Sequence, residues 1–287
     1  MISNRRKLAK FGSRIPVYLF LLAVTVIALF PIVYIFLASF KTNFEIMIGG
    51  PHILPQEGWQ FHNYKRAWEL ANFSQYTYNS LYLAFFIVIG CIYTATTAGY
   101  VFSRGRTVIT KIIYYMVLSS LFISIGTLSL YPQLSLARKI GLSGSLWGVI
   151  IIRVFGMNVT QIFLSTSFID QIPKELDDSA KIDGCTFLST FFCIIMPLLK
   201  PLIATIGLIS FRVAWNDYLL PFVFTISKPM RMPLTVGVVN LKQSGAAASS
   251  WDLALAGISI SLIPMLIVYL ILNRFFISGL TEGAIKG

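Results

Sequence analysis

The residues with chemistry to offer are few, and they fall in separate places. Four acids, Glu175, Asp177, Asp178 and Asp183, crowd a polar stretch bounded by Pro173 and Gly184. Polar side chains also interrupt apolar runs: Arg153, Asn158 and Gln161 in one, Arg212, Trp215, Asn216 and Asp217 in the next. His52 and His62 lack the spacing of a metal pair. Cys91, Cys185 and Cys193 suggest neither a disulfide nor a metal site. No Gly-rich loop ending in Lys-Ser/Thr is present, so the chain has no phosphate cradle for a nucleotide. A membrane enzyme would need acids or histidines gathered at one face, and the single acidic cluster has a simpler reading in helix capping and docking. The expectation is no catalytic residue, no metal and no cofactor held by this chain.

The elements that must position these residues are apolar. Of 287 residues 56% are hydrophobic and only 12% charged, about half the share usual in a soluble domain. Six long apolar runs stand out, from about Ile15 to Phe40, Leu81 to Phe102, Ile112 to Leu130, Leu146 to Phe168, Leu202 to Phe224 and Leu253 to Phe276. Only helices or closed barrels satisfy their own backbone in lipid, and no run alternates as a barrel strand does. The fold class expected is therefore an all-α membrane protein with six transmembrane helices. The first run is too long for a signal h-region and reads as a retained span. The net charge of +12 is read as membrane topology rather than nucleic-acid binding. Arg14, Arg104, Arg106, Lys111, Lys174, Lys181 and Lys200 gather on one side, which places both termini in the cytoplasm. Residues 1–14 form a basic tail, 15–276 the spans, and 277–287 a C-terminal tail. In the longest outer loop, Asn63 to Ala71 reads as a short amphipathic helix.

The loop at 169–201, between spans four and five, is long and carries helix grammar. Pro173 suits a first turn. Glu175, Asp177 and Asp178 suit the positive end of a helix dipole. Asp177 precedes Lys181 by four residues in the stabilising order, Leu176 and Ala180 mark an apolar side, and Gly184 supplies a left-handed end. Asp183 is sensible there if its carboxylate caps Cys185 or Thr186. A second helix follows from about Phe187 and breaks at Pro197 and Pro201. Taken alone, this is either a connector or a knob that a partner grips.

The segment from Ile172 to Pro201 resembles the signature loop of permeases in binding-protein-dependent ABC importers. That pattern has Glu-Ala-Ala, then Gly, then Pro-Leu-x-x-Pro. Here these read Asp178-Ser179-Ala180, Gly184 and Pro197-Leu198-Leu199-Lys200-Pro201, with Phe191 at an aromatic position. Ser39 to Ile46, Asn63-Tyr64, Ala67-Trp68, Asn79-Ser80-Leu81, Trp215-Asn216-Asp217 and the tail from Arg274 to Gly287 are similar to the carbohydrate branch, and the tail to the shorter, six-span maltose-type subunit. The resemblance implies a cytosolic coupling helix in which Glu175, Asp178, Ser179, Ala180, Asp183 and Gly184 dock on an ATPase. It implies a tail with Gly283, Lys286 and Gly287 facing that ATPase. The implied partners are an ATP-binding-cassette ATPase dimer that binds ATP and Mg, a second homologous permease, an extracytoplasmic solute-binding protein, a sugar substrate and the lipid of a bacterial cell membrane, with no nucleic acid.

Sugars are bound by fans of hydrogen bonds and an aromatic face, so Gln161, Arg212, Trp215 and Asn216 are either pathway residues or glue between helices. Polyols and glycerol phosphate are alternative substrates. An ion-coupled secondary transporter would show inverted repeats and acids near the midplane, and neither is evident.

Overall fold

The computed structural model describes residues 15–70, 72–105, 107–123, 125–156, 158–243 and 250–284; among them every regular element is helical. In chain order the α-helices are α1 (Ile15–Ala38), α2 (Asn43–Met47), α3 (His62–Leu70), α4 (Phe73–Arg104), α5 (Val108–Ser119), α6 (Leu130–Lys139), α7 (Leu146–Phe155), α8 (Val159–Asp170), α9 (Glu175–Ile182), α10 (Phe187–Thr190), α11 (Met196–Leu198), α12 (Lys200–Asn216), α13 (Leu219–Thr225), α14 (Leu234–Gln243) and α15 (Trp251–Ala284). The chain divides into two compact units: 15–70 with 238–260, and 72–237 with 261–284.

Within the described residues, α1, α4 and α15 are each long and apolar enough to cross a membrane, and the bent pairs α7–α8 and α10–α12 bring the number to as many as five. The third apolar run does not form one helix. After α5 the hydroxyls of Ser119 and Ser120 bond back to the Met116 and Val117 carbonyls, and Gly126, at φ +58°, turns the chain before α6. The fifth run, expected unbroken to Phe224, ends α12 at Asp217, whose backbone is extended, and restarts at α13. An apolar run records burial or lipid contact but not continuity of the hydrogen-bond ladder.

In the first unit α1 is apolar on every side and buries none of its apolar stretch in this chain, as a lipid- or partner-facing helix does. Beyond it a small polar cap is tightly bonded. Thr42 and Glu45 form a reciprocal capping box at α2. Burial raises the Glu45 carboxyl, but the backbone N–H groups of Gln56, Glu57 and Thr42 all donate to it, and Lys41 stands near; the net effect is a carboxyl held below its usual range. The expected amphipathic helix is α3. Its Asn63 donates to the Ser39 and Lys41 carbonyls at 3.0 and 2.9 Å, while Trp68 stays exposed.

In the second unit α4 packs against α7, α8 and α12. Close approach needs Gly99, where a Cβ would lie 2.4 Å from that of Ser165 on α8. At one end of α4, Asn79 donates to the Met230 and Met232 carbonyls and Ser80 accepts from the Leu234 amide. At the other end lies a core of Ala95, Tyr100, Ile169, Phe191, Ile195, Leu199, Leu202 and Ile206. Helix α15 continues past the expected tail boundary at 276 to Ala284, which takes Gly283 into the helix; Lys286 and Gly287 lie outside the described residues.

Candidate functional site

The acidic cluster folds into α9, as its local grammar requires. Glu175, Asp177 and Asp178 occupy the first turn, and Lys181 the last. Gly184, at φ +83°, closes the helix: its N–H donates to Lys181 O at 3.1 Å and the Cys185 N–H donates to Ala180 O at 2.9 Å. That is the double bond pattern of a Schellman end, which a side chain with a Cβ resists because of the left-handed backbone. Thr186 then caps α10 by accepting from the Ser189 amide, and residues 191–195 form a π-helical turn. The chain bends by 82° between this segment and α12, at the expected proline pair.

Three sequence expectations are corrected here. Asp183 is exposed and caps neither Cys185 nor Thr186; Thr186 caps with its own hydroxyl, so the carboxylate is not needed. Lys181 pairs with Asp178 at 3.0 Å, not with Asp177. Asp177 turns inward, where its carboxylate is 9% exposed. It accepts from Tyr100 Oη at 3.0 Å on one oxygen and from Arg104 Nε at 2.8 Å on the other. Arg104 also donates to Ile172 O at 2.8 Å, and Ser103 to Asp170 at 2.6 Å. Tyr100 and Arg104 stand one turn apart on α4, so this contact joins that helix to α9. Ala180 is buried beside Asp177, so its methyl packs inward rather than outward.

What remains outward on α9 is Glu175, Leu176, Asp178, Ser179, Lys181 and Ile182, followed by Asp183. Ile182 is 87% exposed, a large apolar side chain with little of this chain against it at the end of a capped helix. The reading from sequence missed it, because the apolar side was assigned from Leu176 and Ala180. The face therefore combines acids, a lysine, a small residue and exposed aliphatic carbon.

The four polar residues of the apolar runs do not share one face. Gln161 is buried and donates to Ser210 Oγ at 3.1 Å, with its carbonyl oxygen unpartnered. Trp215 is buried, stacks on Phe211 and donates its indole N–H to Ser261 O at 2.9 Å. Arg212 and Asn216, one turn apart on α12, are exposed, and Asn216 donates to the Arg212 carbonyl at 3.0 Å. A polar link not anticipated from the sequence joins α7 to the break after α12: Arg153 Nε and Nη2 both donate to Asp217 Oδ2, at 2.8 and 2.6 Å. Among the described residues no group of three or more His, Cys, Asp or Glu side chains is placed to hold a metal.

No protein-family model matches the chain. Curated relatives do, over most of their length. The melibiose/raffinose/stachyose import permease MelC of Bacillus subtilis (strain 168) is 32% identical over 228 residues, 79% of this chain and 81% of the relative. The galactooligosaccharides transport system permease GanQ of the same organism is 31% identical over 280 residues, covering 94% of each. A solved chain from a bacterial ABC transporter involved in import of the acidic polysaccharide alginate superposes with a TM-score of 0.78 at 24% identity, over 94% of this chain and 98% of that one.

Proposed function

This chain belongs to the permease subunits of ABC importers, membrane proteins that transport rather than transform; from that premise we propose that it forms half of a translocation pathway for a sugar or oligosaccharide, with α9 as the helix that receives the stroke of a partner ATPase. The observation that carries this reading is α9 itself: capped at its C-terminal end, buried on one face, with Leu176, Asp178, Ser179 and Ile182 exposed on the other. A short polar helix held this firmly yet bare on one side is built to be gripped. ATP with Mg²⁺ is bound by the ATPase pair, since the chain has no phosphate loop of its own. A second permease completes the pathway, an extracytoplasmic binding protein delivers the solute, and the six apolar runs cross a bacterial inner membrane with both termini in the cytoplasm. The carbohydrate class is supported by relatives named for melibiose, raffinose and galacto-oligosaccharides. On α12, Arg212 and Asn216 are the polar groups open to a pathway.

The test is a pull-down from detergent of the wild-type chain and of Gly184→Pro. Proline cannot adopt the φ of +83° and removes the N–H that bonds Lys181 O. The wild type is expected to bring down an ATPase and a second permease, and the variant to keep the permease and lose the ATPase. A folded wild-type chain that never brings down an ATPase sinks the reading. Uptake of labelled raffinose and of a galacto-oligosaccharide by cells with and without the intact chain then tests the substrate class.

A further inference from the structure

From the geometry around Asp177 we infer that this residue is a positioning residue that clamps α9 to the last turns of α4, so that the two move as one rigid lever; this rests on the reading of α9 as the helix an ATPase grips. Of the acids on α9, Asp177 is the one turned away from solvent, and both its oxygens are used. Tyr100 Oη and Arg104 Nε reach it across 77 and 73 residues of chain. Arg104 is itself only 6% exposed, and its Nη2 holds the Ile172 carbonyl just ahead of α9. Tyr100 is fixed in turn between Phe187 and Phe191, at ring distances of 4.5 and 5.0 Å. The clamp thus grips α9, its lead-in and its exit at once.

The far side of the lever is equally defined. Helix α4 runs for 32 residues, packs against α7, α8 and α12, and at its other end is tied to the Met230 and Met232 carbonyls through Asn79. A displacement of α9 therefore reaches α4 directly, rather than through the linker after α9. The Asp178–Lys181 pair cannot do this: it is exposed and lies within α9 itself. The two adjacent aspartates consequently have opposite duties, Asp178 facing a partner and Asp177 facing the chain's own helix.

The experiment measures the distance between spin labels at Lys174→Cys and Val101→Cys, both exposed positions, with Cys185 and Cys193 changed to Ser. It uses the full chain in detergent, alone and as the copurified complex, with and without Mg-ATP. One narrow distance is expected for the wild-type background in every state. Asp177→Asn is expected to lose that narrow distance, most of all with Mg-ATP, while still bringing down the ATPase. Tyr100→Phe removes one hydroxyl and keeps the ring, so it stands in if Asp177→Asn does not fold, and it is expected to broaden the distribution less. A narrow, nucleotide-independent distance in the folded variants overturns the clamp. Absence of an ATPase from the wild-type pull-down overturns the docking reading instead, and the label distances in the chain alone still decide whether Asp177 fixes α9.

Discussion

Removing Arg153 and removing Asp217 should not be equivalent, although they are partners. The Asp217 carboxylate is 6% exposed, whereas the Arg153 guanidinium is 35% exposed. Arg153→Met leaves a buried acid without its cation, a loss on the order of 3–5 kcal/mol. Asp217→Asn leaves a guanidinium that is only partly buried, at a smaller cost, and the double variant should recover much of the single Arg153→Met loss. A thermal unfolding scan of the four proteins in detergent checks this; equal losses for the two single variants would show that the link is not asymmetric. The sequence placed both residues in apolar runs but not against each other. They stand 64 residues apart, and nothing local marks Asp217 as the end of a helix, since Tyr218, Leu219 and Leu220 prolong the apolar run. Gly184 was legible for the opposite reason: a helix end is settled by a few neighbouring residues. Asp177 shows both regimes. Its place in a first turn could be read from its neighbours, while its partner could not, because Lys181 offered a nearer and equally charged alternative.

At the scale of elements, packing distances separate glycines that look alike in sequence. Gly99 on α4 faces Ser165 and Thr166, where an added Cβ would meet backbone atoms at 3.0 Å. Gly207 on α12 would place a Cβ no nearer than 3.7 Å to any neighbour. Gly99→Ala is expected to destabilise by about 1–3 kcal/mol through forced separation of α4 and α8. Gly207→Ala should be neutral or slightly stabilising, since alanine suits a helix interior better by roughly 1 kcal/mol. Comparing the two melting temperatures in one detergent tests the pair, and the reverse order would refute the packing described. The long helices were legible from hydrophobicity, and α3 and α9 from capping and amphipathic pattern. The breaks inside the third and fifth runs were not, because serine hydroxyls and an extended aspartate interrupt the ladder without interrupting the apolar character.

For the whole molecule the telling feature is α1, whose side chains from Pro16 to Pro31 are all exposed. Ile27, near its middle, is 72% exposed. A fluorescent label at Ile27→Cys, with Cys185 and Cys193 changed to Ser, should be quenched strongly by brominated lipid when the chain is reconstituted alone. Quenching should fall when the second permease is copurified and reconstituted with it. Strong quenching in both preparations would mean that α1 faces lipid in the assembly as well. Membrane class and family resemblance were both readable at this scale, because composition and the loop motif are distributed or local properties of the chain.

The π-helical turn at Phe191–Ile195 bears on which changes of length the chain can survive. Its amide at Met196 reaches back five residues, to Phe191 O, so the turn holds one residue more than an α-helical path would. Deleting one residue there lets the helix relax to ordinary pitch with little change in register, whereas deleting one from the α-helical turn of α10 before it rotates everything on its N-terminal side by about 100°. The exposed edge of α9 would then point elsewhere, with every side chain on it unchanged. In α10 the spacing is thus under constraint as well as the letters, and a one-residue gap should be costlier there than within Phe191–Ile195.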